Sequence, residues 1–123
     1  MPDLLVDITD GVGTLTMNRQ DARNALSLEM RSGMHEFLDK YEFDDSVRCV
    51  VIRGAGDHFM AGGDVKSFAG MAKEKSSEEM RTHFLHRIHN LHGFISAMRR
   101  FPKPIIASTR GAVAGAGVSL AAA

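Results

Sequence analysis

The sequence predicts an α/β domain with strands separated by helical crossovers, and three observations carry that prediction. Strand-patterned and helix-patterned segments follow one another as ββα, β-loop, α, β-turn-α. The run Val47 to Arg53 is β-rich and almost continuously apolar, as in a strand covered on both faces. Between strands, Met30, Met34, Phe37, Leu38 and Tyr41 recur at helical spacing, as do Met80, Phe84, Ile88, Leu91, Ile95 and Met98.

Each element has its local reason. Leu4, Val6 and Ile8 alternate with Asp3, Leu5, Asp7 and Thr9, which predicts a half-buried strand. Gly11-Val12-Gly13 reads as a hairpin turn and Thr14 to Asn18 as the returning strand. Arg19 to Asn24 reads as polar loop. Ser27 is placed to cap the first helix, which ends at Asp44-Asp45-Ser46. After the Val47–Arg53 strand, glycine-containing turns bracket His58, Phe59 and Met60, and His58 is expected to line the turn. Ser76 with Glu79 forms a capping-box pattern for the long second helix, which Phe101-Pro102-Lys103-Pro104 breaks. Ile105 to Thr109 is a short strand, and Gly111 to Gly117 a small-residue turn into a last helix. That helix has no stop signal before Ala123, so the domain reads as the N-terminal part of a longer one.

Composition narrows the function. Fifteen Lys+Arg balance fifteen Asp+Glu over 123 residues, which argues against non-specific nucleic-acid or anionic-membrane binding. The single cysteine, Cys49, excludes an internal disulfide and reads as a core thiol among Val47, Val50, Val51 and Ile52. The acidic N-terminus resembles neither a secretory signal nor a transit peptide, and Gly111–Ala123 is too short to span a bilayer. The expected address is the cytoplasm, with no membrane and no nucleic-acid partner. His83, His86, His89 and His92 step by three around a helix and spread over about half its circumference, which fits a solvated face rather than a metal site. Gly115-Ala116-Gly117 begins a dinucleotide-type pattern, but Leu120 stands where the third glycine would be.

Chemistry is sought at two glycine-rich turns that follow strands, Ala61-Gly62-Gly63-Asp64 and Gly115-Ala116-Gly117. Small residues let backbone approach a ligand and leave N–H groups free to point at it. Two such donors converging on one carbonyl oxygen form an oxyanion hole. The same glycines also serve tight turns and close packing, and composition does not separate the two readings.

Four blocks occur in order: Asn18 to Leu26 (NRQDARNAL), Val50 to Gly56 (VVIRGAG), Phe59 to Lys66 (FMAGGDVK) and Pro102 to Gly117. Together they resemble the crotonase superfamily of enoyl-CoA hydratases and isomerases. The resemblance implies a crotonase-like spiral of ββα units, truncated here after the second oxyanion-hole turn, that binds acyl-CoA thioesters. It implies isomerase or lyase chemistry of fatty acid metabolism, in which two backbone N–H groups hold the thioester oxygen while an enolate forms. By position those donors fall on Gly63 and Ala116. The CoA contacts fall on Ala22, Arg23 and Ala25, on Ala61, Gly62, Asp64, Val65 and Lys66, and on Gly115. Arg23 and Lys66 are either phosphate partners or ordinary solvated charges.

One departure from the pattern matters. Hydratases of the family carry a glutamate two positions beyond the second glycine of the last turn, where this chain has Ser119. A hydroxyl supplies no carboxylate base, so isomerase-like chemistry is favoured over two-glutamate hydration. Ser119 itself reads either as a helix-packing residue or as a group orienting substrate. Asp64 adjoins the first donor but is not the family's base, and the carboxylate is expected beyond Ala123. No metal or covalently bound cofactor is expected; the CoA thioester is the substrate. The family resemblance also implies a homo-oligomer, trimer or hexamer, for a full-length chain. The alternative is a non-catalytic chain that binds CoA or a partner and lacks the carboxylate.

Overall fold

The computed structural model describes residues 2–63, 69–70, 73 and 76–123. Strands β1 (Leu4–Thr9), β2 (Val12–Met17), β3 (Cys49–Gly54) and β4 (Ile105–Ser108) form a four-stranded sheet in that order. The β1–β2 pair is antiparallel, and β2–β3 and β3–β4 are parallel. The crossovers carry the helices α1 (Leu28–Tyr41) and α2 (Ser77–Arg100), and α3 (Ala116–Ala122) follows β4. The predicted α/β class and order of elements along the chain hold.

The hairpin turn lies one step earlier than the glycine spacing predicts. Asp10 and Gly11 both have positive φ (52° and 80°), the two-residue turn that suits the right-handed twist of its strands, so Val12 and Gly13 already belong to β2.

Register decides what is buried. Leu15 pairs with Ile52, and Ile52 with Ala107, so one row of side chains crosses three strands on the helix-covered face. Leu15, Met17, Val50 and Ile52 on that face meet Met30, Met34, Phe37 and Leu38 of α1 and Phe94 and Met98 of α2. Alternation places Cys49 and Val51 on the opposite face, so Cys49 is a half-buried free thiol rather than a core one, and β3 is fully covered on one face only. β1 is likewise not half-buried. Val6 pairs with Leu15 and shares its face, yet is 52% exposed, whereas Leu4 at the start of the strand packs beside Gly33 of α1.

The helix termini follow local chemistry. The Ser27 hydroxyl accepts the Met30 N–H at 3.2 Å, and the Ser76 hydroxyl accepts that of Glu79 at 3.2 Å, so both predicted caps form. Past the C-terminus of α1, Lys103 donates to the carbonyls of Tyr41 (2.5 Å) and Asp44 (2.6 Å). The apolar stripe of α2 divides. Its C-terminal half is anchored through Leu91, Phe94, Ile95 and Met98, whereas Ile88 remains 47% exposed. Phe94, absent from the predicted stripe, is fully buried. His86, His89 and His92 are exposed and His83 is half-buried.

Candidate functional site

The segment Arg19 to Asn24 is less a loop than a fastener. Gln20–Ala22 form a 3-10 turn, and Arg23 and Asn24 then take left-handed backbone (φ 50° and 57°). This conformation sends the Asn24 side chain inward, where it is fully buried and satisfied. Its Oδ1 accepts the Arg19 N–H at 2.8 Å, and its Nδ2 donates to the carbonyls of Ala55 (3.1 Å) and His58 (2.8 Å). Asparagine suits the position twice, since it tolerates the left-handed region and offers a donor and an acceptor on one short arm.

Next to it, three backbone segments lie side by side. Ala61 N–H donates to Arg23 at 3.0 Å and Leu26 N–H to Gly62 at 2.8 Å, joining the first and second segments. Met60 N–H donates to Ala112 at 3.1 Å and Ala114 N–H to Met60 at 3.1 Å, joining the second and third. His58 adds a side-chain link, its Nδ1 accepting the Ala112 N–H at 2.9 Å, so it lines the turn as expected. The parallel bridges Leu26–Gly63 and Met60–Val113 are the signature of this short ladder. The predicted CoA-contact positions Ala22, Arg23, Ala25, Ala61, Gly62 and Gly115 therefore converge. Arg23 has an exposed side chain, and Ala25 is buried. Asp64, Val65 and Lys66 lie outside the described residues.

The two turns meet at glycines. Gly115 has φ +54° and ψ −123°, a conformation that L side chains rarely adopt, and a Cβ on it would stand 3.4 Å from the Gly62 Cα. One residue on, Ala116 starts α3, whose Gly117 is pressed against the Met60 carbonyl. The Gly62 carbonyl points to Leu26, and the Gly63 N–H, trans to it in the same peptide, points the other way. Neither the Gly63 nor the Ala116 N–H has an acceptor among the described residues.

Gly63 and Ala116 line the same cleft, of about 110 Å³. Its other walls are Leu26, Ser27 and Leu28 at the start of α1, Arg31 within it, and Phe84, Arg87, Ile88 and Leu91 of α2. The two guanidinium-bearing residues are adjacent, with Arg31 Nη1 donating to the Arg87 carbonyl at 3.1 Å. Burial, and secondarily the charge of Arg87, lower the pKa of Arg31 from its usual value. No Asp or Glu lines the cleft among the described residues. Ser119 is exposed and is not among the cleft residues. No group of three His, Cys, Asp or Glu is arranged to hold a metal ion among the described residues, and no described helix is long and apolar enough to cross a membrane.

Comparison with known proteins decides the family. The enoyl-CoA hydratase/isomerase family model matches residues 12–123. The chain belongs to that family. A trans-2-decenoyl-[acyl-carrier-protein] isomerase of Streptococcus mutans is 34% identical over 98% of this chain and 44% of its own length. A 1,2-epoxyphenylacetyl-CoA isomerase of Escherichia coli is 33% identical over 98% of this chain and 45% of its own. The crystal structure of an enoyl-CoA hydratase/isomerase from Marinobacter aquaeolei superposes with a TM-score of 0.82 at 35% identity, over 98% of this chain and 46% of that one. This enoyl-CoA hydratase/isomerase-family chain thus spans a little under half the length of the curated relatives it matches.

Sequence reasoning did not single out Asn24, Arg31 or Arg87. Arg87 carried a readable signal: it stands three residues after Phe84 and four before Leu91, inside an apolar stripe. The inward turn of Asn24 depends on a left-handed backbone that composition alone does not announce.

Proposed function

We propose that this chain binds acyl-CoA thioesters and stabilises the enolate formed on them, the Gly63 and Ala116 N–H groups taking the charge that develops on the thioester oxygen. The observation that carries the reading is that Gly63 and Ala116 line one largely apolar cleft and that neither N–H has an acceptor among the described residues. Such donors are already oriented and cost no reorganisation as charge develops, and each is worth ~2.7–4 kcal/mol in comparable sites. Proton abstraction next to the thioester carbonyl yields the enolate, and return of the proton at a different carbon moves the double bond. Ala22, Arg23, Ala25, Ala61, Gly62 and Gly115, with Asp64, Val65 and Lys66, would hold the CoA moiety.

Isomerase-like chemistry is the preferred reading because Ser119 replaces the hydratase glutamate. The relatives' names do not decide between the two, since a probable enoyl-CoA hydratase of Mycobacterium bovis is 33% identical over 89% of this chain. A second reading, a CoA- or partner-binding chain without catalysis, is favoured by the lack of a carboxylate among the described residues of the cleft.

The test is turnover of a 3-enoyl-CoA by the protein as its own gene expresses it, with Gly63→Pro as the variant. Loss of one donor lowers kcat by about 10²–10³-fold. A Gly63→Pro protein of native circular dichroism with unchanged turnover would overturn the role of Gly63. Binding without turnover in the unaltered protein would favour the second reading.

A further inference from the structure

His58 stands where the three segments beside the cleft are joined, and its two acceptors serve different neighbours. Its carbonyl accepts the buried Asn24 Nδ2 at 2.8 Å, which ties it to the first segment. Its ring Nδ1 accepts the Ala112 N–H at 2.9 Å, which ties it to the third. Ala112 is half-buried, and its N–H has no other acceptor among the described residues. Gly111 makes room for the ring: its φ is +61°, and a Cβ there would collide with the Asp57 carbonyl and stand 2.7 Å from the His58 Nδ1. From Ala112 the bonding runs on toward the cleft. The Ala112 carbonyl accepts the Met60 N–H at 3.1 Å, the Met60 carbonyl accepts the Ala114 N–H at 3.1 Å, and Gly115 and Ala116 follow directly.

We propose that His58 is a positioning residue: its unprotonated Nδ1 holds the third segment in the register that brings Ala116 to the cleft, and protonation of the ring releases that side of the site. The proposal rests on the enolate-stabilising reading above and adds its regulation by pH. A neutral imidazole carries one proton, and because Nδ1 accepts, that proton sits on Nε2. An imidazolium donates from both nitrogens, so two N–H groups would then face each other across the same 2.9 Å, and ring or segment must withdraw. The charged groups around His58 are Asp57 on its own turn, Asp21 and Arg23 of the first segment, which share a polar pocket with it, and Arg110 at the entry to the third. They are of mixed sign, and none of them gives the Ala112 N–H an alternative acceptor.

Two measurements on the protein as naturally expressed test this. Nitrogen–proton NMR correlations of the ring report which nitrogen carries the proton, and the Ala116 amide resonance reports the segment. At about pH 8 the Nε2–H form is expected. Acidification to about pH 5.5 should move the Ala116 resonance in the unaltered protein but not in His58→Asn, whose amide oxygen takes over as acceptor and does not titrate. A proton on Nδ1 at the higher pH overturns the proposal, as does an Ala116 shift that His58→Asn shares. Turnover of a 3-enoyl-CoA is the second measurement. With KM little changed, kcat is expected to fall about tenfold for each pH unit below the titration of the ring. His58→Asn holds its kcat across the same range, and His58→Ala is lowered throughout. An acid limb that His58→Asn retains overturns the proposal. Absence of turnover at every pH overturns the enolate reading, and the Ala116 resonance then decides the role of His58 on its own.

Discussion

The Ala61–Gly63 turn is fastened by main-chain hydrogen bonds to the Arg23–Leu26 segment, which the buried Asn24 amide ties in turn to the end of β3. The Gly115–Gly117 turn follows ladder bonds that Ala112 and Ala114 make with Met60, but the turn itself meets its neighbours by contact: Gly115 against Gly62, and Gly117 against the Met60 carbonyl. The first turn thus fails when a polar group is lost, and the second when an atom is added. Each contributes one residue to a shared cleft, Gly63 from a strand-like bridge and Ala116 from a helix start. One cleft is thus bordered by two turns that rest on different physical supports.

The largest stability effect is expected where the first support is cut. Asn24→Ala leaves two carbonyls and one N–H without their side-chain partner in a buried position. The expected loss is ~2–4 kcal/mol, seen as a fall in melting temperature of roughly 10 °C or more. A shift of only a degree or two would mean that water replaces the amide, and the contrast between the turns would weaken.

Gly117→Ala attacks the second support and pits two effects against each other. Alanine gains about 1 kcal/mol of helix propensity over glycine. Its Cβ would stand 2.5 Å from the Met60 carbonyl oxygen, which cannot retreat without stretching its bond to the Ala114 N–H. Overpacking costs about 1–3 kcal/mol, so net destabilisation is expected in urea or thermal melts. A stabilised variant would show that α3 slides freely over Met60.

The smallest effect lies far from both turns and serves as the control. Asp44 accepts the Ser46 N–H at 2.9 Å, which, with Lys103 and Lys40 nearby, lowers its pKa from the usual 3.8. A carboxylate whose folded pKa is depressed adds stability that is present above its unfolded value and lost as pH falls through the folded one. The difference in melting temperature between the unaltered protein and Asp44→Asn should therefore be constant above pH 5 and shrink below about pH 4. The group is fully exposed, so the change is small. A difference that persists unchanged at pH 2 would show that the Asp44 charge contributes nothing.

What was legible in the sequence follows the same contrast between pattern and contact. The α1 stripe and both serine caps were readable because helical period and capping chemistry are local. The family blocks were readable too, and they placed Gly63 and Ala116 on segments that the fold brings to one cleft. The exposure of Val6 was not, because alternation tells which side chains share a face and not how far the covering helix reaches. Cys49 was misjudged for a related reason: its neighbours in sequence are buried, but its neighbours on its own face are not. The role of Asn24 required knowing which carbonyls, more than thirty residues away, would lack donors.

The contact of Gly115 with Gly62 has a consequence for how such a chain diversifies. The gap between the turns is set by main-chain atoms alone, so side-chain replacement on the cleft's far wall leaves it unaltered. Phe84, Arg87, Ile88 and Leu91 stand on a helix whose anchoring lies further along, at Phe94 and Met98. Side-chain change on the helix is thereby separated from the main-chain contact opposite it: one helical surface can be rewritten residue by residue while the two turns keep their spacing.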